Sequence, residues 1–323
     1  MDSIQFLPNI AFSLNNVLPI FLLIAAGYVL KRQKFLNEEF SRVSNKIVFN
    51  IALPAMIFES IYNSNLCDVI DRKLILFCLL AIILFFLLLT GGACVFIKDK
   101  TVIGAFVQGA FRSNYLLIGL PLINSLYETS NEHAIQKSSF IVSIIIPVFN
   151  ILSIIILSIH SRSRQELRIL KNLRLIVTNP LIIAVLIAVA TNLLNIKVPL
   201  FFSTTIAYIS DIAIPLALLD IGSCISISRI SKTFRYALIA TFLKIVFAPS
   251  AVSLIAYWCN FRGPDLVILY ILFASPTAVA SYIMAKNMDN NEELAASIIF
   301  FSTAGSIITV FTGIFIFKTA GLI

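Results

Sequence analysis

Ten successive runs of about twenty apolar residues leave this chain little choice of surroundings, because about twenty such residues in a helix match the hydrocarbon thickness of a bilayer. The runs lie near 12–30, 47–62, 74–97, 102–126, 138–160, 175–194, 201–227, 236–258, 266–285 and 294–317. Only 12% of the 323 residues are charged, against 59% hydrophobic, and ordinary soluble domains carry roughly 25% charged residues. A water-soluble surface cannot be built from that composition. The fold class is therefore an all-α polytopic membrane protein with ten transmembrane helices. Disorder, collagen, coiled coil and a disulfide scaffold are excluded by the same figures. The first run is preceded by Asp2 and followed by its basic cluster, which reads as a span and not as a cleaved leader.

The net charge of +8 is distributed unevenly. Lys31, Arg32, Lys34, Arg42 and Lys46 follow the first run, Lys98 and Lys100 the third, and Arg162, Arg164, Arg168, Lys171 and Arg174 the fifth. Arg229, Lys232 and Arg235 follow the seventh run and Lys286 the ninth. The alternate loops hold far fewer basic residues: Arg72, Lys73, Lys137, Lys197, Arg262 and Lys318. Cytoplasmic loops carry the Lys/Arg excess, so the first loop is expected inside and both termini outside. This bias accounts for the basic balance without a nucleic-acid partner.

A shift of 161 residues brings the two halves into register. Phe49-Asn50-Ile51-Ala52-Leu53-Pro54 faces Ser210-Asp211-Ile212-Ala213-Ile214-Pro215, Pro19 faces Pro180, and Glu59 faces Asp220. Shared leucines and isoleucines come free between apolar helices; shared prolines and carboxylates do not. The expected organisation is a first five-helix repeat over 1–160, a basic cytoplasmic loop over 161–174 and a second repeat over 175–323. Because five is odd, the second repeat enters the bilayer from the other side. Inverted repeats are the architecture of many secondary transporters, with the solute bound near the midplane where helices are interrupted.

Two runs carry the marks of interruption. The fourth holds Ser113-Asn114-Tyr115-Leu116-Leu117-Ile118-Gly119-Leu120-Pro121, and the ninth holds Ser275-Pro276-Thr277-Ala278-Val279-Ala280-Ser281-Tyr282. Proline removes an N–H and glycine permits the backbone excursion. Freed backbone groups at membrane depth must be buried in protein or line a cavity. Asn114, Tyr115, Ser275, Thr277, Ser281 and Tyr282 are the expected hydrogen-bonding groups, with Gly119, Pro121 and Pro276 shaping the backbone.

The ionisable residues inside the runs are Glu59, Arg112, Asp211, Asp220 and Lys244. Each charge costs on the order of 3 kcal/mol at the bilayer centre and needs a partner or water. Arg112 either attracts an anion or snorkels to the interface. Lys244 either pairs with Asp211 or Asp220 or contacts an anion. Glu59 and Asp220 either change protonation during gating or sit at helix ends in headgroup water. The five cysteines have no metal-ligand spacing and read as small buried side chains, while His133 and His160 stand alone. No metal or cofactor is expected, and a coupling ion, H⁺ or Na⁺, is left open.

These motifs resemble the auxin efflux carrier family, which includes plant PIN-type transporters and bacterial malonate and malate permeases. Gly27-Tyr28 before a basic loop and Asn50 to Pro54 with Phe58 are similar to the family's opening. Asn114 to Pro121 resembles its fourth-span pattern N-x-x-x-x-G-[IL]-P, Pro215 to Gly222 the seventh span and Pro276 to Lys286 the ninth. The resemblance implies two inverted five-helix repeats forming a scaffold and a transport domain, with helices four and nine broken and crossing at the binding site. It also implies transport of small organic anions, often by homodimers. Asn114, Gly119 and Pro121 fall on the first crossover, whereas Ser281 stands where PIN-type members have the second crossover proline. The short central loop favours a bacterial permease of the inner membrane.

The function expected is a permease for mono- or dicarboxylates or auxin-like weak acids, not an enzyme. An ion channel would need a filter or charged ring, and no such motif is visible. A non-transporting membrane receptor is the other alternative.

Overall fold

The computed structural model describes residues 3–63, 70–127, 130–161, 180–224 and 233–322. Cys67, the basic loop from Arg162 to Arg174, and Arg229 with Lys232 lie outside the described residues. In chain order the helices are α1 (Ser3–Arg32), α2 (Glu38–Ile47, then Leu53–Tyr62 through a π-helical turn), α3 (Arg72–Phe96) and α4 (Lys100–Phe111, then Leu120–Tyr127). They continue with α5 (Glu132–Ile159), α6 (Pro180–Leu193), α7 (Leu200–Asp211 and Ala213–Cys224) and α8 (Phe234–Phe242 and Ala248–Trp258). The last two are α9 (Gly263–Ala274, then Ala280–Asn287) and α10 (Glu292–Thr319). Among the described residues there is no strand, only one isolated antiparallel bridge between Ser113 and Thr277.

Among the described residues six helices are long and apolar enough to cross a membrane: Ile10–Arg32, Arg72–Phe96, Glu132–Ile159, Leu200–Ser223, Phe234–Trp258 and Glu292–Thr319. Shorter apolar helices are Tyr115–Tyr127, Pro180–Leu193 and Gly263–Ala274. The exterior is apolar: Leu88, Val95, Phe96, Leu186 and Ile308 are all more than half exposed, while Arg112, Asn114, Lys244 and Ser302 are buried. Polar groups inside and leucines outside suit a lipid solvent. Cys94 and Cys259 are exposed, which corrects the expectation of burial for these two, whereas Cys78 is buried as expected.

Helix starts are set where the chain is polar enough to supply caps. Asn37 accepts from the Phe40 amide at 2.7 Å, Asp71 from Leu74 at 3.0 Å and Asn291 from Leu294 at 2.9 Å, each pairing a first-turn N–H that the helix itself cannot pair. Proline alone does not break these helices, since Pro19 and Pro147 sit inside unbroken α1 and α5. Where Pro54 and Pro249 occur, a π turn (Val48–Ala52 or Leu243–Phe247) lies just upstream.

Packing gathers the helices into two clusters, which meet extensively where α1 lies along α10. The two most extensively packed pairs are α1 with the second piece of α7, and α6 with the second piece of α2. The first pair meets backbone to backbone. A Cβ built on Gly27 would lie 2.1 Å from the Leu219 carbonyl oxygen, and one on Gly222 only 1.9 Å from that of Ile24. Helices α3, α4, α5, α8, α9 and α10 form the other group.

That second group is braced at one end by Lys137 on α5. Its Nζ lies 3.3 Å from Asp71 Oδ2 and 3.1 Å from Asp265 Oδ1, joining α5 to the starts of α3 and α9. Burial by itself would raise the Asp71 carboxyl, but the Leu74 amide and the Lys137 ammonium outweigh it and hold the carboxyl below the ordinary aspartate range. A depressed carboxyl stabilises the folded state above the unfolded value, and the contribution is lost as protonation sets in. Asp71→Asn keeps the cap and removes the ion pair, so it is expected to cost about 1 kcal/mol or less at neutral pH. The thermal-stability deficit should close as pH falls below about 4; a deficit that persists there would disprove the ionic account.

Candidate functional site

The two interrupted helices are joined at their breaks. The first piece of α4 ends at Phe111, and Arg112 to Asn114 leave helical geometry before the π turn Tyr115–Gly119 resumes it. In α9, Ser275 turns extended (φ −58°, ψ 137°) before Pro276, the conformation that a following proline favours. The freed backbone groups then find one another. The Asn114 amide donates to the Pro276 carbonyl at 2.8 Å beside the Ser113–Thr277 bridge. Thr277 Oγ1 donates to the Gly109 carbonyl at 2.7 Å, and its amide donates to Ser302 Oγ at 3.1 Å. A Cβ on Gly119 would fall 2.3 Å from the Tyr115 ring and 2.8 Å from Ser275 Oγ. The crossing therefore needs glycine there.

The side chains around this crossing are buried, and several lack partners. Ser113 Oγ, Asn114 Nδ2, Ser281 Oγ and Gln108 Oε1 have no hydrogen-bonding partner among the described residues. Tyr115 OH is 2.7 Å from Ser138 Oγ, and Ser275 Oγ donates to the Ile271 carbonyl at 2.7 Å. A buried polar group left unpaired costs about 1–3 kcal/mol, so a cluster of them marks a place built for something other than packing.

Two cations stand at the same breaks. Arg112, 8% exposed, donates from Nη2 to Asn150 Oδ1 at 2.8 Å and from Nη1 to Met284 Sδ. Lys244, fully buried, reaches from the π turn of α8 to the Phe273 carbonyl at 2.9 Å. Neither takes part in an ion pair among the described residues.

Residues 12–313 match the family described as membrane transport protein. The chain belongs to this family, the auxin efflux carriers. It is 24% identical over 305 residues to an uncharacterized transporter of Methanothermobacter thermautotrophicus, covering 92% of the chain and 96% of that protein. It is also 24% identical over 309 residues to the uncharacterized transporter YfdV of Escherichia coli K12, covering 93% and 96%. An uncharacterized transporter of Methanocaldococcus jannaschii is 21% identical over 308 residues, covering 91% and 95%.

In this carrier Asn114, Tyr115, Gly119, Ser275, Pro276 and Thr277 meet at the crossing, and Pro121 follows in the buried first turn of the second piece of α4. Ser281 already lies within the second piece of α9, so the proline of that break is Pro276; Tyr282 beside it is half-buried. Arg112 does not snorkel, because its head is held inside the protein. Lys244 does not pair with Asp211 or Asp220, because its ammonium is taken by a main-chain carbonyl. Asp220 is instead held by Ser41 Oγ and, at 3.3 Å, by Asn45 Nδ2, while Asp211 is exposed and Glu59 half-buried. Ser138, Asn150 and Ser302 join the site without having been expected there, and Ser113 and Met284 gain contacts or an orphaned hydroxyl that their motifs alone did not announce. A lone asparagine within the apolar run 138–160 was the available signal for Asn150. An open groove of about 640 Å³ between α8, α9 and α10 is a different feature. Exposed Leu254, Ile308 and Ile316 line it, and none of the break residues does.

Proposed function

We propose that this carrier moves small organic anions, mono- or dicarboxylates or auxin-like weak acids, across the membrane by alternating access. The observation that carries the reading is the buried guanidinium of Arg112 at the crossed breaks without a carboxylate to neutralise it, beside the unpaired Asn114 Nδ2, Ser113 Oγ and Ser281 Oγ. Uncompensated buried charge is strongly unfavourable, and a bound anion would relieve it. Asn114 Nδ2, Ser113 Oγ and Ser281 Oγ would supply hydrogen bonds to a carboxylate, and Arg112 would supply charge. Backbone N–H groups that open the second pieces of α4 and α9 add positive dipole ends.

Alternating access rests on ten spans arranged as two inverted repeats, with the broken helices in one moving group. Support comes from the packing. The 161-residue shift turns α1 into α6 and the second piece of α2 into that of α7, so it interchanges the two most extensively packed helix pairs. A homodimer in a bacterial inner membrane with both termini outside completes the proposal.

Counterflow in proteoliposomes tests it. Vesicles preloaded with an unlabelled dicarboxylate are expected to accumulate the labelled compound transiently and saturably. Flux without acceleration by trans substrate would favour a channel, and no flux across a carboxylate panel would favour a receptor; either outcome overturns the reading.

A further inference from the structure

The first piece of α9 ends at Ala274 inside the protein, so its last carbonyls need donors that water cannot supply. The Ile271 carbonyl accepts from Ser275 at both N and Oγ. The Phe273 carbonyl accepts from Lys244 Nζ. The matching end of the first piece of α4 is closed with neutral groups, the Gln108 carbonyl by the Arg112 amide and the Gly109 carbonyl by Thr277 Oγ1. A lysine amino group on one half-helix end and a hydroxyl on the other is an asymmetry between the two breaks.

The lysine is delivered by the π turn Leu243–Phe247, and such turns in α-helices occur frequently at functional sites. Position 83, its counterpart under the 161-residue shift, is isoleucine, so the repeat supplies no second copy. In carriers with broken helices, unwound carbonyls and half-helix C-terminal ends are where a coupling Na⁺ or H⁺ is held. The negative end of the helix dipole makes that position attractive to a cation. Here a lysine side chain already occupies that position, bonded through the chain.

We propose that the Lys244 ammonium is a tethered replacement for a coupling sodium ion, seated on the Phe273 carbonyl at the end of the first half of α9, so that the carrier works without Na⁺. Lys244 is then a positioning residue that holds the break closed and does not touch the substrate. The inference rests on the crossed breaks being the transport site, but its stability arm needs no substrate.

The experiment compares wild type, Lys244→Ala and Lys244→Met in sodium chloride and in choline chloride of equal ionic strength. Each is read by thermal unfolding of the substrate-free protein and by carboxylate counterflow. Wild type is expected to behave identically in the two salts. Lys244→Ala removes the resident charge and leaves room, so in choline it should lose uptake about tenfold or more and unfold earlier, with sodium restoring part of both. Lys244→Met fills the space and should not respond to sodium, which a purely structural loss would not distinguish from Lys244→Ala. A sodium requirement in wild type, or a Lys244→Ala protein indifferent to the salt, overturns the inference. If neither variant can be purified, the wild-type comparison decides alone. Absence of counterflow in every salt would count against the anion reading, while the unfolding arm still judges this one.

Discussion

Asn114→Ala is expected to lower carboxylate counterflow by about a hundredfold while leaving the melting temperature unchanged or slightly raised. The two effects separate because the two halves of the residue do different things. Its main-chain amide makes the 2.8 Å bond to Pro276 that ties the breaks together, and alanine keeps it. Its side-chain Nδ2 is buried and has no partner among the described residues. Removing an unpaired buried donor relieves the fold, since the desolvation penalty disappears with the group. Removing the same donor from a bound carboxylate loses a charge-assisted hydrogen bond in a water-poor site, where such bonds are roughly twice as strong as neutral ones. Arg112→Gln should reduce uptake as much, and it also removes the guanidinium that holds Asn150 and Met284. If Asn114→Ala transports normally, the crossing is a structural joint and the substrate binds elsewhere.

What the chain disclosed in advance was governed by how local the signal was. Gly119-Leu120-Pro121 and Ser275-Pro276 interrupt apolar runs, and chemistry within a few residues of each disrupts the helix, so both breaks could be named from composition. Pro19 and Pro147 are as visible yet lie in unbroken helices, so proline alone was not the signal; the polar and glycine neighbours mattered. The partners were not readable. Lys244 and Phe273 are 29 residues apart, and the acceptor is a main-chain carbonyl that no side chain announces. Charge pairing suggested Asp211 or Asp220 for this lysine, because a buried ammonium usually meets a carboxylate. The half-helix end won instead, which follows only once α9 is known to stop at Ala274. Asn150, which meets Arg112 across 38 residues, escaped for the same reason. The membrane character of the fold needed none of this. It is a property of run length and burial cost, and the apolar exterior with its polar interior follows from the solvent.

Gly222→Leu is expected to lower the melting temperature by about 10 °C or more, or to prevent isolation of a monodisperse protein. Helices α1 and α7 touch through their backbones. A Cβ on Gly222 would come within 1.9 Å of the Ile24 oxygen and 2.9 Å of the Tyr28 nitrogen, and all of these are main-chain atoms that cannot rotate aside. The reciprocal contact of Gly27 with the Leu219 carbonyl means that relief at one point tightens the other. Between helices in lipid there is little hydrophobic drive, and close approach of small residues supplies much of the attraction. Prising the axes apart would remove that packing along the most extensive helix pair. Gly92→Leu on α3 is the matched control. A Cβ there meets nothing within 4 Å, and leucine has the better helix propensity by nearly 1 kcal/mol, so that variant should unfold no earlier than wild type. Equal melting temperatures for the two variants would show that α1 and α7 separate freely and that their backbone contact contributes little to the fold.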